Sequence, residues 1–143
     1  MTRMTKKFKI LAQFIKDISS ETPNVQSYIY VKENISKYHL SIDISSEPLK
    51  NKMIEVSTTL KFEDKEPNEK KSYFEIIYVS IVKIDEDIKD KKDLEKIILS
   101  DVQNDIYPNL EKAFLDLLHN SGFPEVKLEK KVDFNKLFNE RSN

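Results

Sequence analysis

The sequence predicts an α+β fold in which a four-stranded antiparallel sheet is followed by a long amphipathic helix and a short C-terminal helix. Two observations carry this prediction. Apolar side chains recur at every second position in four segments between residues 8 and 84, which is the period of a strand. From residue 91 onward they recur every three or four positions, which is the period of a helix. Strands followed by helices, without alternation, are typical of the α+β class.

The first three strands alternate apolar and polar residues. The first is predicted over residues 8–18, the second over 38–45 and the third over 54–62. On one side of the first strand lie the apolar residues Phe8, Ile10, Ala12, Phe14 and Ile18. A polar connection over residues 63–71 leads from the third strand to the fourth.

The fourth strand, predicted over residues 72–84, is apolar on both sides. Its second side carries Tyr73, Ile77, Val79 and Ile81. Thirteen extended residues span about 40 Å, roughly twice the usual strand length. Because a strand that is apolar on both faces is normally covered on both, we expect another subunit to cover the second face.

The helical part begins near Leu94 and is predicted to break at Pro108. The main helix follows, ends at Ser121-Gly122, and has an apolar face made of Leu110, Phe114, Leu117 and Leu118. A short helix over residues 133–141 would present Phe134, Leu137 and Phe138 on one side. With no repeat or linker in the sequence, we expect one domain over residues 1–143.

Composition excludes several classes of function. The 24 Lys and Arg residues nearly balance the 25 Asp and Glu residues, so we expect no general attraction to nucleic acid. The chain has no Cys and a single Gly, which argues against disulfides, thiolate metal sites and phosphate-binding loops. We expect no metal, no cofactor and no catalysis. Neither a signal peptide nor a membrane-inserted segment is predicted, which indicates a cytoplasmic protein.

Several motifs, in a preserved order over nearly the whole chain, resemble the SecB family of protein-export chaperones. They are residues 15–24 (IKDISSETPN), Glu75 in the long fourth strand, Asn104, Ile106-Tyr107-Pro108, Gly122-Phe123-Pro124, Val132-Asp133-Phe134 and Leu137-Phe138. Two positions depart from the family pattern. Gln103 stands where the family usually has a Pro, and Tyr78-Val79-Ser80 replaces a Gly-containing stretch.

The resemblance implies a homotetramer, built as a dimer of dimers, that holds unfolded preproteins without ATP and delivers them to the SecA motor. It implies that Asp17, Glu21 and Glu75 bind the basic C-terminal tail of SecA. It also implies that Tyr28 and Tyr30, in an irregular aromatic segment after the first strand, contact the client in a groove.

Two other functions are compatible with the sequence. A SecB-like chaperone dedicated to an antitoxin or to another specific client would keep the fold and change the partner. A small α+β ligand-binding or enzymatic domain would instead enclose a pocket and form a monomer or a simple dimer. The acidic residues favour the export function, and the mass of the particle in solution separates the third possibility from the first two.

Overall fold

The computed structural model describes residues 7–64, 72–128 and 132–142, and it confirms the predicted fold class. The strands are β1 (Phe8–Glu21), β2 (His39–Pro48), β3 (Met53–Glu63) and β4 (Tyr73–Ile84). The helices are α1 (Val25–Glu33), α2 (Lys91–Lys96), α3 (Val102–Asn120) and α4 (Phe134–Ser142), with a π-helical turn (Ile97–Asp101) joining α2 to α3. The predicted polar connection falls outside the described residues from 65 to 71.

The strands form an antiparallel sheet in the order β1-β4-β3-β2. Pairing of β2 with β3 and of β3 with β4 is regular, so the alternation predicted for these strands is confirmed. One face, the inner face, packs against the helices and carries Leu60 of β3 and Ile76 of β4, both fully buried. The opposite face, the outer face, carries the second side of β4.

The predicted side of β1 is wrong, because two β-bulges reverse its faces. Register shifts separate Ile10 from Ala12 and Ile15 from Asp17. Each bulge inserts one residue, which moves the following side chains to the other face of the sheet. Phe8 and Ile10 therefore lie on the inner face, Ala12 and Phe14 on the outer face, and Ile18 on the inner face again beside Ile76.

The segment that carries Tyr28 and Tyr30 is not irregular as predicted but forms helix α1. The side chain of Asn24 caps the helix by accepting a hydrogen bond of 2.9 Å from the backbone N–H of Ser27. Val31 is fully buried, and it fixes the helix against the core. Tertiary packing thus stabilises a helix whose β-branched and aromatic residues have modest helix propensity.

The predicted break at Pro108 is also wrong, since α3 runs through it to Asn120. Proline lacks the N–H that would bind the carbonyl of Asn104. Both Pro108 and Asn104 are exposed, so water can bind that carbonyl and the helix continues. The predicted end of the helix is confirmed, because Ser121 is its C-cap and Gly122 has a φ of +106°.

The core lies between the inner face of the sheet and α3. Leu110, Phe114 and Leu118, which are fully buried, confirm most of the predicted apolar face of this helix. The C-terminal helix α4, also confirmed, buries Phe134 beside Tyr107 of α3, with ring centroids 5.3 Å apart.

Gly122, directly after α3, packs closely against Tyr28 of α1. A Cβ atom at this position would lie 2.6 Å from Cε1 of Tyr28, and the backbone conformation is one that side chains rarely adopt. Tyr28 stacks on Phe123 at a centroid distance of 5.1 Å, and its hydroxyl donates to the carbonyl of Gly122 at 2.9 Å. Glycine is therefore required here for both steric and conformational reasons.

Gly122→Ala is expected to lower the free energy of unfolding by about 2 kcal/mol or more, through backbone strain and displacement of Tyr28. Urea denaturation of the variant and the parent measures this difference. The exposed residue Asn120 supplies the control, because Asn120→Ala should change the value by less than about 0.5 kcal/mol. Equal stability of the Gly122→Ala variant and the parent would show that this turn tolerates a side chain.

Candidate partner-binding surfaces

The three acidic residues of the predicted motor-binding site lie on the outer face. Asp17 pairs with Ile77 across β1 and β4, and Glu21 pairs with Tyr73. Glu75 lies between these two positions of β4, opposite Ser19. Asp17 and Glu21 are thus diagonal neighbours of Glu75, a relation in which Cβ atoms are about 7–8 Å apart. The structure brings all three carboxylates together at one end of the sheet.

Glu75 differs from the other two carboxylates because it is largely buried and lies beside a lysine, whereas Asp17 is exposed and accepts a hydrogen bond of 3.2 Å from the hydroxyl of Ser19. The side chain of Glu75 is only 13% exposed, and its Oε2 lies 3.6 Å from Nζ of Lys61 on β3. The Tyr73 hydroxyl donates to Glu75, and this bond, with burial and the nearby carboxylates, raises the pKa of Tyr73 to about 12. Asp17 and Glu21 are exposed. They belong to β1, which flanks β4 on one side, whereas Lys61 belongs to β3 on the other side.

Glu75→Gln is expected to lower the pKa of Tyr73 from about 12 toward its ordinary value of 10.0, because the hydrogen-bonded anion favours the neutral phenol. In the parent, stability contributed by this phenol is intact below pH 10.0 and is lost as the pH rises toward 12. Ultraviolet titration of the variant measures the shift, with Tyr73→Phe identifying the signal. Glu55→Gln, on the outer face opposite Ile81, is the control. An unchanged titration would contradict the bond.

The acidic end of the outer face adjoins an apolar area. Phe14 is 46% exposed and pairs with Val79, and Ile77 and Ile81 flank Val79 along β4. A hollow of about 550 Å³ lies beside Glu21 and Tyr73, where β1 ends. The outer face therefore combines carboxylates with apolar surface.

Tyr28 and Tyr30 are half-buried on α1, and each has a partner within the chain. Tyr28 stacks on Phe123, as described above. The hydroxyl of Tyr30 donates to Oδ2 of Asp64 at 3.3 Å. These contacts hold α1 between the loop after α3 and the end of β3. The parts of the rings that remain exposed are available to a partner.

A cleft of about 840 Å³ opens beside the segment that follows α1, between the start of β2 and α4. Its lining combines apolar side chains with charges. The lining residues are Ile35, Ser36, Tyr38, His39, Leu40, Ile42, Phe62, Val126, Lys127, Leu128, Val132, Asp133, Lys136, Leu137 and Glu140. Tyr28 and Tyr30 are not among them. The cleft is large enough for a segment of extended chain with apolar side chains.

Sequence reasoning did not identify the residues of this cleft. They come from the segment after α1, from β2 and β3, from the loop after α3 and from α4, with no common spacing. Leu40, Ile42 and Leu137 were visible in the sequence as apolar positions of a strand and a helix, and such positions indicate the core as well as a binding surface.

Within the described residues, no group of three or more His, Cys, Asp or Glu side chains is arranged to hold a metal ion. None of the helices that the structure describes is both long enough and apolar enough to cross a bilayer. The described residues present two surfaces suited to a polypeptide partner, the acidic end of the outer face and the apolar cleft.

The chain belongs to the SecB family, whose model, preprotein translocase subunit SecB, matches residues 2–143. It is thus a chaperone of the class that serves protein export. A relative from Pelagibacter ubique (strain HTCC1062), named as a candidate protein-export protein SecB, is 56% identical over 140 residues, covering 98% of this chain and all of the relative. The protein-export protein SecB of Bartonella quintana (strain Toulouse) is 24% identical, covering 94% of this chain and 83% of that protein.

The fold has a solved counterpart in the SecB-like chaperone of Mycobacterium tuberculosis, in complex with a ChAD peptide from an antitoxin. The TM-score is 0.57 and the sequence identity is 12%, with 87% of this chain and 91% of that chain covered. The likeness confirms the predicted SecB-like fold.

Proposed function

We propose that this protein is a cytoplasmic, ATP-independent chaperone that holds unfolded preproteins and delivers them to the SecA motor. The observation that carries the proposal is the family match over residues 2–143, combined with an open apolar cleft in the same chain. The relatives named for protein export favour export over a dedicated client. The protein is one domain and has no catalytic role.

The cleft is the proposed place for the client. Unfolded preproteins differ in sequence and share exposed apolar segments, so a receptor for them needs apolar surface without a specific pattern of hydrogen bonds. Ile35, Leu40 and Leu137 supply such surface from three separate elements. Tyr28 and Tyr30, on the adjacent α1, extend the contact through the exposed parts of their rings.

The composition of the chain supports nucleotide independence. Phosphate-binding loops need several glycines, because the backbone amides must approach the phosphates closely. Gly122 is the only glycine in the chain, and it is held against Tyr28. Release of a client must then come from binding of the motor or from folding of the client.

The acidic end of the outer face is the proposed site for the basic tail of SecA. Asp17 and Glu21 are exposed and lie beside Glu75, so their carboxylates can pair with Lys and Arg side chains of a partner. Carboxylates outside the cleft would let the motor bind while the client remains in place.

The edge of the sheet supports assembly into a homotetramer, arranged as a dimer of dimers. Within the described residues, β1 pairs with β4 along one edge only. Its exposed apolar side chains are Leu11, Phe14, Ile15 and Ile18, each 45–46% exposed. A long apolar edge strand normally pairs or is covered, and a second copy of the chain can do both.

Light scattering at micromolar concentration is expected to give a particle of four chains, each of 16.9 kDa. Leu11→Lys combined with Ile15→Lys should shift the particle to smaller species, because charges on the edge oppose pairing of strands. The control is Leu49→Lys, which makes the same type of substitution at an exposed residue after β2, away from β1. A stable monomer of the parent chain would refute the tetramer and weaken the proposed function.

The proposed function as a whole is tested by mixing the protein, an unfolded preprotein and SecA without nucleotide. A complex of all three should form, and it should lose SecA when a peptide of the SecA tail is added in excess. Binding of SecA in place of the preprotein, or no binding of SecA, would contradict delivery. Selective binding of an antitoxin in place of preproteins would indicate a dedicated chaperone.

A further inference from the structure

Gln103 is a fully buried polar residue at the start of α3. It stands where the SecB pattern usually has a proline. A buried amide is costly unless its donors and acceptors are paired, so its partners show what holds it there.

The side chain of Gln103 bridges the sheet and the π-helical turn. Its Oε1 accepts a hydrogen bond of 3.0 Å from the hydroxyl of Thr58 on β3. Its Nε2 donates to the carbonyl of Ile98 at 3.3 Å. In an α-helix that carbonyl would bind the N–H of Val102, but in this turn Val102 donates to the carbonyl of Ile97, five residues back. The side-chain amide of Gln103 thus binds a carbonyl of the π-helical turn.

The same turn holds α4 by a second polar contact. The hydroxyl of Ser100, which is fully buried, donates to Oδ1 of Asn135 on α4. The next residues of this helix, Lys136 and Leu137, line the cleft. Hydrogen bonds therefore join β3 to Gln103, Gln103 to the π-helical turn and the turn to α4, which forms one wall of the cleft.

We infer that Gln103 is a positioning residue: by fixing the π-helical turn against β3, it sets the position of α4 and hence the shape of the cleft that takes an unfolded client. The inference rests on the proposed function of the cleft. A proline at position 103 has no side-chain amide and would leave the turn without this bridge.

The test measures two quantities in the full-length protein: amide hydrogen exchange in residues 134–142, and affinity for reduced, carboxymethylated lactalbumin, which cannot fold. Gln103→Met keeps the length of the side chain and removes the bridge. Exchange in α4 should rise about fivefold and affinity should fall about fivefold, the effect of losing the hydrogen bond that joins Gln103 to the turn. Ser100→Ala, which cuts the contact to α4, should reproduce both changes.

Two further variants separate positioning from stability. Ser80→Ala is the control, because Ser80 is buried on the inner face and its hydroxyl has no hydrogen-bond partner among the described residues. It should leave both quantities unchanged. Thr58→Val with Gln103→Leu removes the whole bridge and leaves no buried hydroxyl or side-chain amide unpaired, so global stability should recover in part while exchange in α4 stays high.

If exchange in α4 follows global stability, and the double variant restores it, Gln103 is a structural residue only and the inference is overturned. Unchanged exchange in Gln103→Met overturns it as well. Failure of the parent protein to bind lactalbumin would instead refute the proposed function, while raised exchange in the variants would still support positioning of α4 by Gln103.

Discussion

Replacing Asp17, Glu21 and Glu75 by Asn, Gln and Gln is expected to weaken binding of the SecA tail by roughly 10- to 100-fold, because each charged contact contributes up to about 1 kcal/mol. The structure places the three carboxylates as diagonal neighbours on the outer face. Client holding should remain, since none of the three lines the cleft. Assembly should remain because Asn and Gln keep the size of the side chains on β1. Motor binding and client binding are therefore expected to separate.

Calorimetry with a peptide of the SecA tail measures this loss at two salt concentrations. Contacts between exposed charges are screened over about 8 Å at physiological ionic strength, so tail binding should weaken with salt more steeply than client binding. The control is Asp43→Asn, Glu47→Gln and Glu55→Gln, which removes three carboxylates from the outer face around β2 and β3. Equal losses in both triple variants, or full affinity in the first, would show that the acidic end is not the site.

The three carboxylates of the acidic end should contribute unequally to the affinity for the SecA tail. Lys61 already lies 3.6 Å from Glu75, so a basic partner must compete for that carboxylate. Asp17 and Glu21 are exposed. Most of the loss of tail affinity should therefore appear in the double variant Asp17→Asn with Glu21→Gln, which keeps Glu75.

Replacing Ile35 and Leu137 by Ser is expected to weaken client holding by roughly 10- to 100-fold, because each large apolar side chain contributes about 1.5–3 kcal/mol when fully buried and these two are already half-buried. They lie on different walls of the cleft. The affinity for carboxymethylated lactalbumin, measured by fluorescence anisotropy, checks the result.

The control for this variant is Val25→Ser with Ile29→Ser, two exposed apolar residues of α1 that do not line the cleft. The control should bind the client as the parent does. The same loss in both variants would mean that clients bind a broad apolar surface. If neither variant loses affinity, the client binds elsewhere.

The sheet could be predicted from sequence where one face is buried and the strand is regular. In β2, Ile42 and Ile44 alternate with polar residues because only one face meets the core. The faces of β1 could not be predicted, since Leu11 and Lys16 are the extra residues at its two bulges and neither is a glycine or another marker of a bulge.

Helix α1 could not be predicted from the sequence for a different reason. Its apolar residues give little amphipathic pattern, and the aromatic side chains suggested an extended segment. The one signal was Asn24 after Pro23, a suitable N-cap, which the sequence also allows as part of a turn. Contacts of Tyr28 with Gly122 and Phe123, about 94 residues away, stabilise the helix and have no local signal.

The candidate sites also differ in how much of each could be predicted from the sequence. The family motif identified Asp17, Glu21 and Glu75, and the register of β1 with β4 brings them together. The ion pair of Glu75 with Lys61 depends on the pairing of β3 with β4, and the cleft depends on where α4 docks. Neither follows from spacing along the chain, because each joins residues of separate elements through the tertiary fold.

The measurement that tests the central claim most directly is aggregation of a slow-folding preprotein diluted from denaturant, followed by light scattering, with and without this protein and without nucleotide. A stoichiometric amount should keep the preprotein soluble and unfolded, ATP should change nothing, and the cleft variant should protect far less than its control. Aggregation at the rate of the preprotein alone, or protection that requires ATP, would contradict the account.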